Sequence, residues 1–284
     1  MGTRQGPTLR AQWLGQQLKE LRERAGFTLR QTADFLERDP STISRIESAE
    51  YPVRRADLMA LLDFYPVSDR QRRDALLALR EDIWRKGWWD GYAEDVDHRL
   101  IDYVWLESRA RAIHTFDNTL LPGLLQTREY AREAIVAADF DASTDQIERW
   151  VELRMARQGI LNGEKPPQLL SAIDEGVLRR IVGGTKITQA QLRRLAGCAE
   201  QPNVEIRVLP FQAGAHTSPI GTFRILVMPE PYPDVAYAET LTGAVYVESP
   251  HVERLAQAYA RLRDAALGPD ESIELILALA KELH

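Results

Sequence analysis

Four polar residues in the short run PSTISRI are of the types that contact DNA. They are Ser41, Thr42, Ser44 and Arg45. If the run is helical, Ile43 and Ile46 share its inward face and the polar side chains lie largely outward. Hydroxyl groups form hydrogen bonds with base edges and phosphates, and arginine makes the bidentate hydrogen bond that selects guanine. The run therefore predicts a helix that presents hydrogen-bonding groups to a DNA groove.

The surrounding residues predict two short helices joined by a tight turn, which is a helix-turn-helix. The first helix should begin near Thr28, because Thr28 and Gln31 have the spacing of a capping box. The second should open at Asp39, a common N-cap residue, with Pro40 at its first position. The N–H groups at the start of that second helix are then available to a phosphate.

This segment, together with the leucines that flank it, resembles the lambda-repressor-like regulators of the xenobiotic-response-element (XRE) type. The flanking leucines are Leu14, Leu18, Leu21, Leu58, Leu61 and Leu62. The resemblance implies a bundle of about five helices that docks on double-stranded DNA. It also implies base-edge contacts from Ser41, Ser44 and Arg45. It places Thr28, Gln31 and Thr42 nearer the phosphate backbone.

Three positions depart from the pattern of that family. Leu29 stands where glutamine is usual, Glu37 where glycine makes the turn, and Arg38 where an apolar residue is usual. A left-handed backbone at Glu37 would cost about 1 to 2 kcal/mol. Because Leu29 cannot bond a phosphate, another residue must supply that contact. The nearest cations are Arg30, Arg54 and Arg55.

Two alternatives stay open at this point. The same apolar spacing suits a helical bundle that never touches nucleic acid. In addition, Arg45 lies close to Glu47 in sequence, so that its guanidinium could form only a surface ion pair of little energetic value.

Length and charge predict two domains, a DNA-binding one over residues 1–86 and a second over residues 87–284. A chain of 284 residues is too long for one small bundle. Residues 1–85 hold 15 Lys or Arg and 13 Asp or Glu, whereas the remainder holds 21 and 29. This asymmetry fits DNA binding by the first domain alone, since an acidic second domain is repelled by a duplex.

The cysteine content and the N-terminus predict a cytoplasmic protein. A single cysteine, Cys198, excludes an internal disulfide and a cysteine-based zinc site. The first residues lack an apolar signal core, and no stretch reaches the roughly 20 apolar residues that a membrane span needs. We therefore expect no membrane association, no metal and no cofactor.

The second domain has the pattern of an α+β or α/β fold with a small sheet. Residues 97–162 have helical spacing throughout, with Leu106, Ala110 and Ile113 on one face. Apolar runs bounded by Gly and Pro predict strands, and two helices should close the chain. The predicted strands are 169–173, 204–209, 222–228, 235–238 and 244–247, and the closing helices are 251–267 and 272–283.

This half is similar to a group of actinobacterial XRE-type regulators whose C-terminal half is a domain of unknown function. The resemblance is carried by Gly87, Trp88, Trp89, Leu106, Glu107, 122–132, 154–158, Asp174, Glu175, Leu178, 202–210, Gly214, His216, Tyr237 and Glu239. It implies a transcriptional regulator. It also implies candidate partners, because the genes of this group often adjoin genes for small proteins.

No complete catalytic constellation is present, so we expect no enzyme. The histidines have neither the i,i+4 nor the His/Cys spacing of zinc sites; they are His98, His114, His216, His251 and His284. Asp174 and Glu175 follow a predicted strand, where catalytic carboxylates do occur. We favour the simpler interpretation that they cap the next helix.

A ligand pocket is predicted near His216, Tyr237 and Glu239. His216 lies on a Gly-rich loop between two predicted strands, and Glu239 lies at a strand end, where pockets often open. The occupant predicted is a small-molecule effector or a peptide. The open alternatives are a second domain that docks a small partner protein, in the manner of an antitoxin, and a DNA-tethered enzyme.

A homodimer is predicted from geometry, because one small bundle buries little surface on DNA and a paired reader suits a two-fold operator. The last helix could form the interface through its apolar face, or that face could pack on its own domain. The face consists of Ile273, Ile276, Leu277, Ala280 and Leu283.

Overall fold

The computed structural model describes residues 7–85, 87–96, 98–139, 141–218, 221–230, 232–240, 243–248 and 251–283. The chain divides into two compact units, Met1–Asp90 and Gly91–His284. The first is a helical bundle, and the second combines helices with a six-stranded sheet. This confirms the predicted class, a mostly helical chain with an N-terminal five-helix bundle followed by an α+β domain.

The helices of the first unit are α1 (Leu9–Arg24), α2 (Leu29–Leu36), α3 (Pro40–Glu47), α4 (Arg55–Phe64) and α5 (Arg70–Trp84). The flanking leucines named above are buried, as are Ile43 and Ile46. The predicted capping box is confirmed, since Thr28 Oγ1 accepts from the Gln31 N–H at 3.2 Å and Gln31 Oε1 accepts from the Thr28 N–H at 2.9 Å. Pro40 opens α3 as predicted. Within the described chain, however, the Asp39 side chain makes no cap hydrogen bond.

The turn between α2 and α3 depends on a left-handed residue. Glu37 has φ 55° and ψ 47°, a conformation that usually belongs to glycine. The Arg38 N–H then reaches the Ala33 carbonyl at 2.9 Å and ends α2. The turn therefore forms despite the unfavourable residue that the sequence places in it.

Helix α1 holds the end of α3 by close approach and by a buried ion pair. A Cβ on Gly15 would lie 2.5 Å from the Glu47 carbonyl oxygen, so only glycine fits at the crossing. Nearby, Arg22 donates to both carboxylate oxygens of Glu47, at 2.7 and 2.9 Å. These contacts fix α3 against the bundle.

The second unit contains helices on both sides of its sheet. Its helices are α6 (His98–Arg109), α7 (Arg128–Ala138), α8 (Thr144–Arg157), α9 (Glu175–Arg179), α10 (Thr185–Cys198), α11 (His251–Ala265) and α12 (Pro269–Glu282). Short 3-10 turns lie at Trp88–Tyr92, Gly123–Leu125, Gln158–Asn162 and Phe211–Ala213. The strands are β1 (Ala112–Asp117), β2 (Gln168–Asp174), β3 (Val204–Leu209), β4 (Phe223–Val227), β5 (Val235–Thr240) and β6 (Gly243–Val247).

The sheet order is β3-β2-β1-β4-β5-β6. Strands β1, β2 and β3 run parallel, whereas β4 pairs antiparallel with β1, and β5 and β6 continue antiparallel. As a result, the carboxyl ends of β1 and β5 and the start of β4 meet at one edge of the sheet.

Strand β1 corrects the prediction that residues 97–162 are helical throughout. Leu106 belongs to α6, but Ile113 lies on β1, so these two residues do not share a helix face. Ile113 is fully buried because β1 lies inside the sheet, between β2 and β4. The later predicted strands and the two closing helices are confirmed, with ends shifted by no more than a few residues.

The apolar face of α12 packs on its own unit. Ile276 and Ala280 are buried there, and the helix contacts α10 and β3. Leu277 is 39 % exposed. Much of the apolar face that could have formed a dimer interface therefore packs within its own unit. This is the second of the two options given for the last helix. Separately, among the described helices none is both long and apolar enough to cross a membrane.

Replacing Glu37 by glycine should stabilise the α2–α3 turn by about 1 kcal/mol, because glycine adopts a positive φ without the clash of a Cβ. Hydrogen exchange of peptides spanning residues 28–47 should slow by about fivefold, as read by mass spectrometry. Asp34→Gly, inside α2, is the control and should speed exchange. Faster exchange in both variants would show that Glu37 is not strained.

Candidate nucleic-acid interface and ligand cavity

The outward face of α3 carries the polar residues that the sequence singled out. Ser41, Ser44 and Arg45 are exposed, and Thr42 is half-buried. Ile43 and Ile46 point into the core from the same helix, so the polar face is fixed relative to the bundle. In its first turn, Pro40 has no N–H group and the Thr42 N–H donates to the Asp39 carbonyl at 2.9 Å.

The guanidinium of Arg45 is only loosely held. It is 3.8 Å from Glu50 Oε2 and lies over the Tyr51 ring at 5.6 Å, and its side chain is 57 % exposed. The alternative that Arg45 pairs with Glu47 is wrong, because Glu47 receives two hydrogen bonds from Arg22. An exposed ion pair of this length is weak, so that the guanidinium is available to another acceptor.

A groove of about 490 Å³ runs beside α3 and is lined by Arg45, Thr42 and Arg54. Arg38 also lines it, and its guanidinium lies 3.7 Å from Asp57. Arg54 is exposed at the N-cap position of α4. This groove thus brings three predicted contact residues together.

The remaining predicted contact residues lie at the start of α2. Thr28, Arg30 and Gln31 are exposed. The capping box uses the Gln31 amide oxygen and leaves its amide N–H groups pointing to no acceptor among the described residues. Arg30 has no ion pair within the described part of the chain. These donors are suited to phosphate oxygens.

The second unit contains a cavity of about 910 Å³ at the sheet edge where β1 and β5 end and β4 begins. Because successive side chains of a strand point to opposite faces of the sheet, the lining residues form two walls. Asp117, Arg224 and Tyr237 point to the face covered by α6 and α8, whereas Ala236 and Val247 point to the face covered by α11. One wall is therefore charged and the other is apolar.

A buried ion pair anchors the charged wall. Arg157 on α8 donates to both oxygens of Glu107 on α6, at 2.8 and 2.9 Å, and Glu107 is 1 % exposed. The Tyr103 hydroxyl donates to the same carboxylate at 2.9 Å. Its ring lies against Tyr237, with centroids 4.3 Å apart. The pair thus connects two helices to the sheet.

Asp117 ends β1 at the bottom of the cavity and is 2 % exposed. Its Oδ1 lies 3.5 Å from Arg224 Nη2. Its Oδ2 is buried and has no hydrogen-bond partner among the described residues. Burial raises the pKa of Asp117, and the Arg224 guanidinium and the neighbouring Thr115 hydroxyl partly oppose that rise.

Arg154 is the cation of the charged wall that has no ion-pair partner in the described part of the chain. Its Nη1 donates to the neutral Gln126 Oε1 at 3.1 Å. Burial, together with repulsion from Arg157, lowers the pKa of Arg154 to about 10. The described chain places no carboxylate within ion-pair distance of this guanidinium.

The structure brings together two of the three residues predicted for a ligand pocket. The Tyr237 hydroxyl donates to Glu239 Oε1 at 2.9 Å, and both residues line the cavity. Burial raises the pKa of Glu239, but Arg224 and the Tyr237 bond outweigh it, so the net pKa is lowered. His216 instead packs edge-on against Phe116, on the other face of the sheet, with centroids 5.3 Å apart.

Other predicted features have structural roles. Asp174 accepts from the Gly176 N–H at 2.8 Å and so caps α9, as favoured. Cys198 is buried. Within the described ranges, no group of three His, Cys, Asp or Glu side chains is arranged for a metal ion. The side chain of His98 and the whole of His284 lie outside those ranges.

Sequence reasoning missed most of the cavity. Asp117, Arg154, Arg157 and Arg224 were not predicted as site residues. A signal was present in the run FRILV, where Arg224 interrupts an otherwise apolar strand. A charged residue in such a strand must find a partner or a solvent-filled space, and here it finds both.

Two family models match the chain. One, described as a helix-turn-helix domain, matches residues 13–76, and it confirms the predicted motif. The other, described as a domain of unknown function (DUF5753), matches residues 100–278, which include every residue that lines the cavity. No curated protein and no solved structure matches the chain.

Replacing Glu107 by glutamine should destabilise the second unit by about 3 kcal/mol, because it leaves the Arg157 charge buried without a counter-charge. Tyr103→Phe is the control, since it removes one hydrogen bond to the same carboxylate and should cost about 1 kcal/mol. Scanning calorimetry of the full chain measures both. If the two variants had the same melting temperature, the ion pair would not anchor this wall.

Proposed function

We propose that this chain, which belongs to the family described as domain of unknown function (DUF5753), is a sequence-specific transcriptional regulator whose second domain binds an effector. The chain carries a helix-turn-helix domain, which makes it a DNA-binding regulator. We propose that residues 1–86 recognise an operator and that residues 87–284 respond to a ligand. The observation that carries the proposal is the exposed polar face of α3, held rigidly within the matched motif.

In the proposed complex, α3 lies in the major groove of double-stranded DNA. Ser41, Ser44 and Arg45 contact base edges, and Arg45 makes a bidentate hydrogen bond to guanine. The other proposed residues contact phosphates and fix the register; they are Thr28, Arg30, Gln31, Thr42 and Arg54. This assignment follows the XRE-type, lambda-repressor-like resemblance and is supported by the exposure of these residues.

The cavity of the second unit supports an effector that is a small molecule. Ligand cavities of roughly 300 to 1,000 Å³ are usual for such molecules, and this one has a volume of about 910 Å³. We favour a small molecule over a small partner protein, because Asp117 and Arg154, whose hydrogen bonding is incomplete, line a cavity rather than an open face.

Selection of bound fragments from genomic DNA by the purified chain should yield one recurrent sequence. Arg45→Ala should lose about 1 to 3 kcal/mol of discrimination at one base pair, and Ser41→Ala should relax preference at another. Both should weaken salt-sensitive background binding much less. Arg70→Ala, which removes an exposed cation of α5, is the matched control and should keep the full preference.

An enriched sequence that all three variants recognise equally would contradict recognition by α3. Selection that yields no recurrent sequence at low salt would contradict the regulator itself.

We also propose that the chain binds DNA as a homodimer on half-sites about one helical turn apart. Light scattering at micromolar concentration should give twice the mass of 32.3 kDa. Since most of the α12 face is buried within its own unit, Leu277→Glu, at an exposed position of that helix, should leave the dimer intact. A monomer that binds the full operator with no cooperativity would contradict this proposal.

A further inference from the structure

The charged wall of the cavity lacks a hydrogen-bond donor at one defined place. Asp117 is 2 % exposed, yet its Oδ2 has no partner among the described residues. Its other oxygen is 3.5 Å from Arg224, which is longer than a good hydrogen bond. A buried carboxylate with incomplete hydrogen bonding is costly, and because Asp117 lines the cavity, a donor bound there would lower that cost.

The same wall lacks an acceptor at a second place. Arg154 has five N–H groups, and within the described chain one of its nitrogens bonds, to the neutral oxygen of Gln126. By contrast, the charge of Arg157 is paired with Glu107, which accepts from two of its nitrogens. Arg154 is therefore the guanidinium of this wall whose charge is not paired with a carboxylate among the described residues.

The charges around the cavity are balanced. Arg154, Arg157 and Arg224 stand against Glu107, Asp117 and Glu239 in the described part of the chain. A ligand with net charge would leave one charge uncompensated in a partly buried space, which is unfavourable. A ligand that carries one positive and one negative group keeps the balance.

The other wall is apolar and is formed mainly by small side chains. Ala236, Val247, Leu255 and Ala258 line it, and Phe223 closes it at the sheet edge. Because alternate residues of β4 and β5 supply the two walls, an occupant that bends around the edge meets charge on one side and hydrocarbon on the other.

We propose that the cavity binds a zwitterionic amphiphile, a small molecule with an amine and a carboxylate on one head group and an apolar tail. The amine donates to Asp117, the carboxylate accepts from Arg154, and the tail lies against Leu255 and Ala258. The inference rests on the proposed function, since it names the class of effector.

The test is calorimetric titration of the full chain with five probes. They are α-aminooctanoate, octanoate, octylamine, glycine and ω-aminooctanoate. The first should bind at least about tenfold more tightly than each of the next three, which lack the amine, the carboxylate or the tail. The ω-amino isomer should also bind more weakly, because its amine would lie against the apolar wall.

Two variants assign the head group. Arg154→Gln should weaken the binding of α-aminooctanoate by about tenfold and leave that of octylamine unchanged. Asp117→Asn should weaken the binding of octylamine and leave that of octanoate unchanged. Arg154→Lys keeps the charge and should restore most of the binding, which guards against loss through misfolding. Arg149→Gln is the matched control on α8, since Arg149 pairs with Asp95 and does not line the cavity.

Octanoate or octylamine binding as tightly as α-aminooctanoate would overturn the proposal, and so would the failure of all five probes. Operator selection run on the same preparation separates the two ideas. A chain that binds the probes but selects no DNA sequence refutes the regulator and keeps the zwitterion site. A chain that selects an operator but binds no probe refutes the zwitterion site alone.

Discussion

A buried guanidinium and carboxylate are tolerated only when they face each other with their hydrogen bonds made, and this chain relies on such a pair in each unit. Arg22 and Glu47 join α1 to α3, while Arg157 and Glu107 join α8 to α6. In both cases the pair stands directly behind the surface of interest. The first fixes the helix proposed to face DNA, and the second fixes the charged wall of the cavity.

The helix-turn-helix was predictable because its signals are local. Thr28 and Gln31 lie three residues apart, and Pro40 can occupy only a first turn, so no distant contact was needed. Strand β1 was missed for the opposite reason. No glycine or proline separates α6 from β1, and Ile113 continues the helical spacing of Leu106. Only pairing with β2 and β4, which lie far along the chain, makes the segment a strand.

The cavity was only partly predictable, because the described residues that line it come from three helices, four strands and the loops between them. Tyr237 and Glu239 were found, since they share one face of one strand close to its end. Asp117 and Arg224 meet through a sheet register that the sequence does not state, and Arg154 lines the same cavity from α8. His216 was grouped with them by loop position, but it packs against Phe116, which strand alternation places on the opposite face of the sheet.

The missing side chain at Gly15 has a mechanical consequence. Two carbonyl oxygens of α3 occupy the volume that a methyl group would need, so the trailing end of that helix has no clearance in which to shift. In the proposed complex, adjustment to a narrower or wider groove would then come from the rotamers of the serine and arginine side chains on the outward face of α3. A helix held in this way would make groove shape, as well as base identity, a condition for binding.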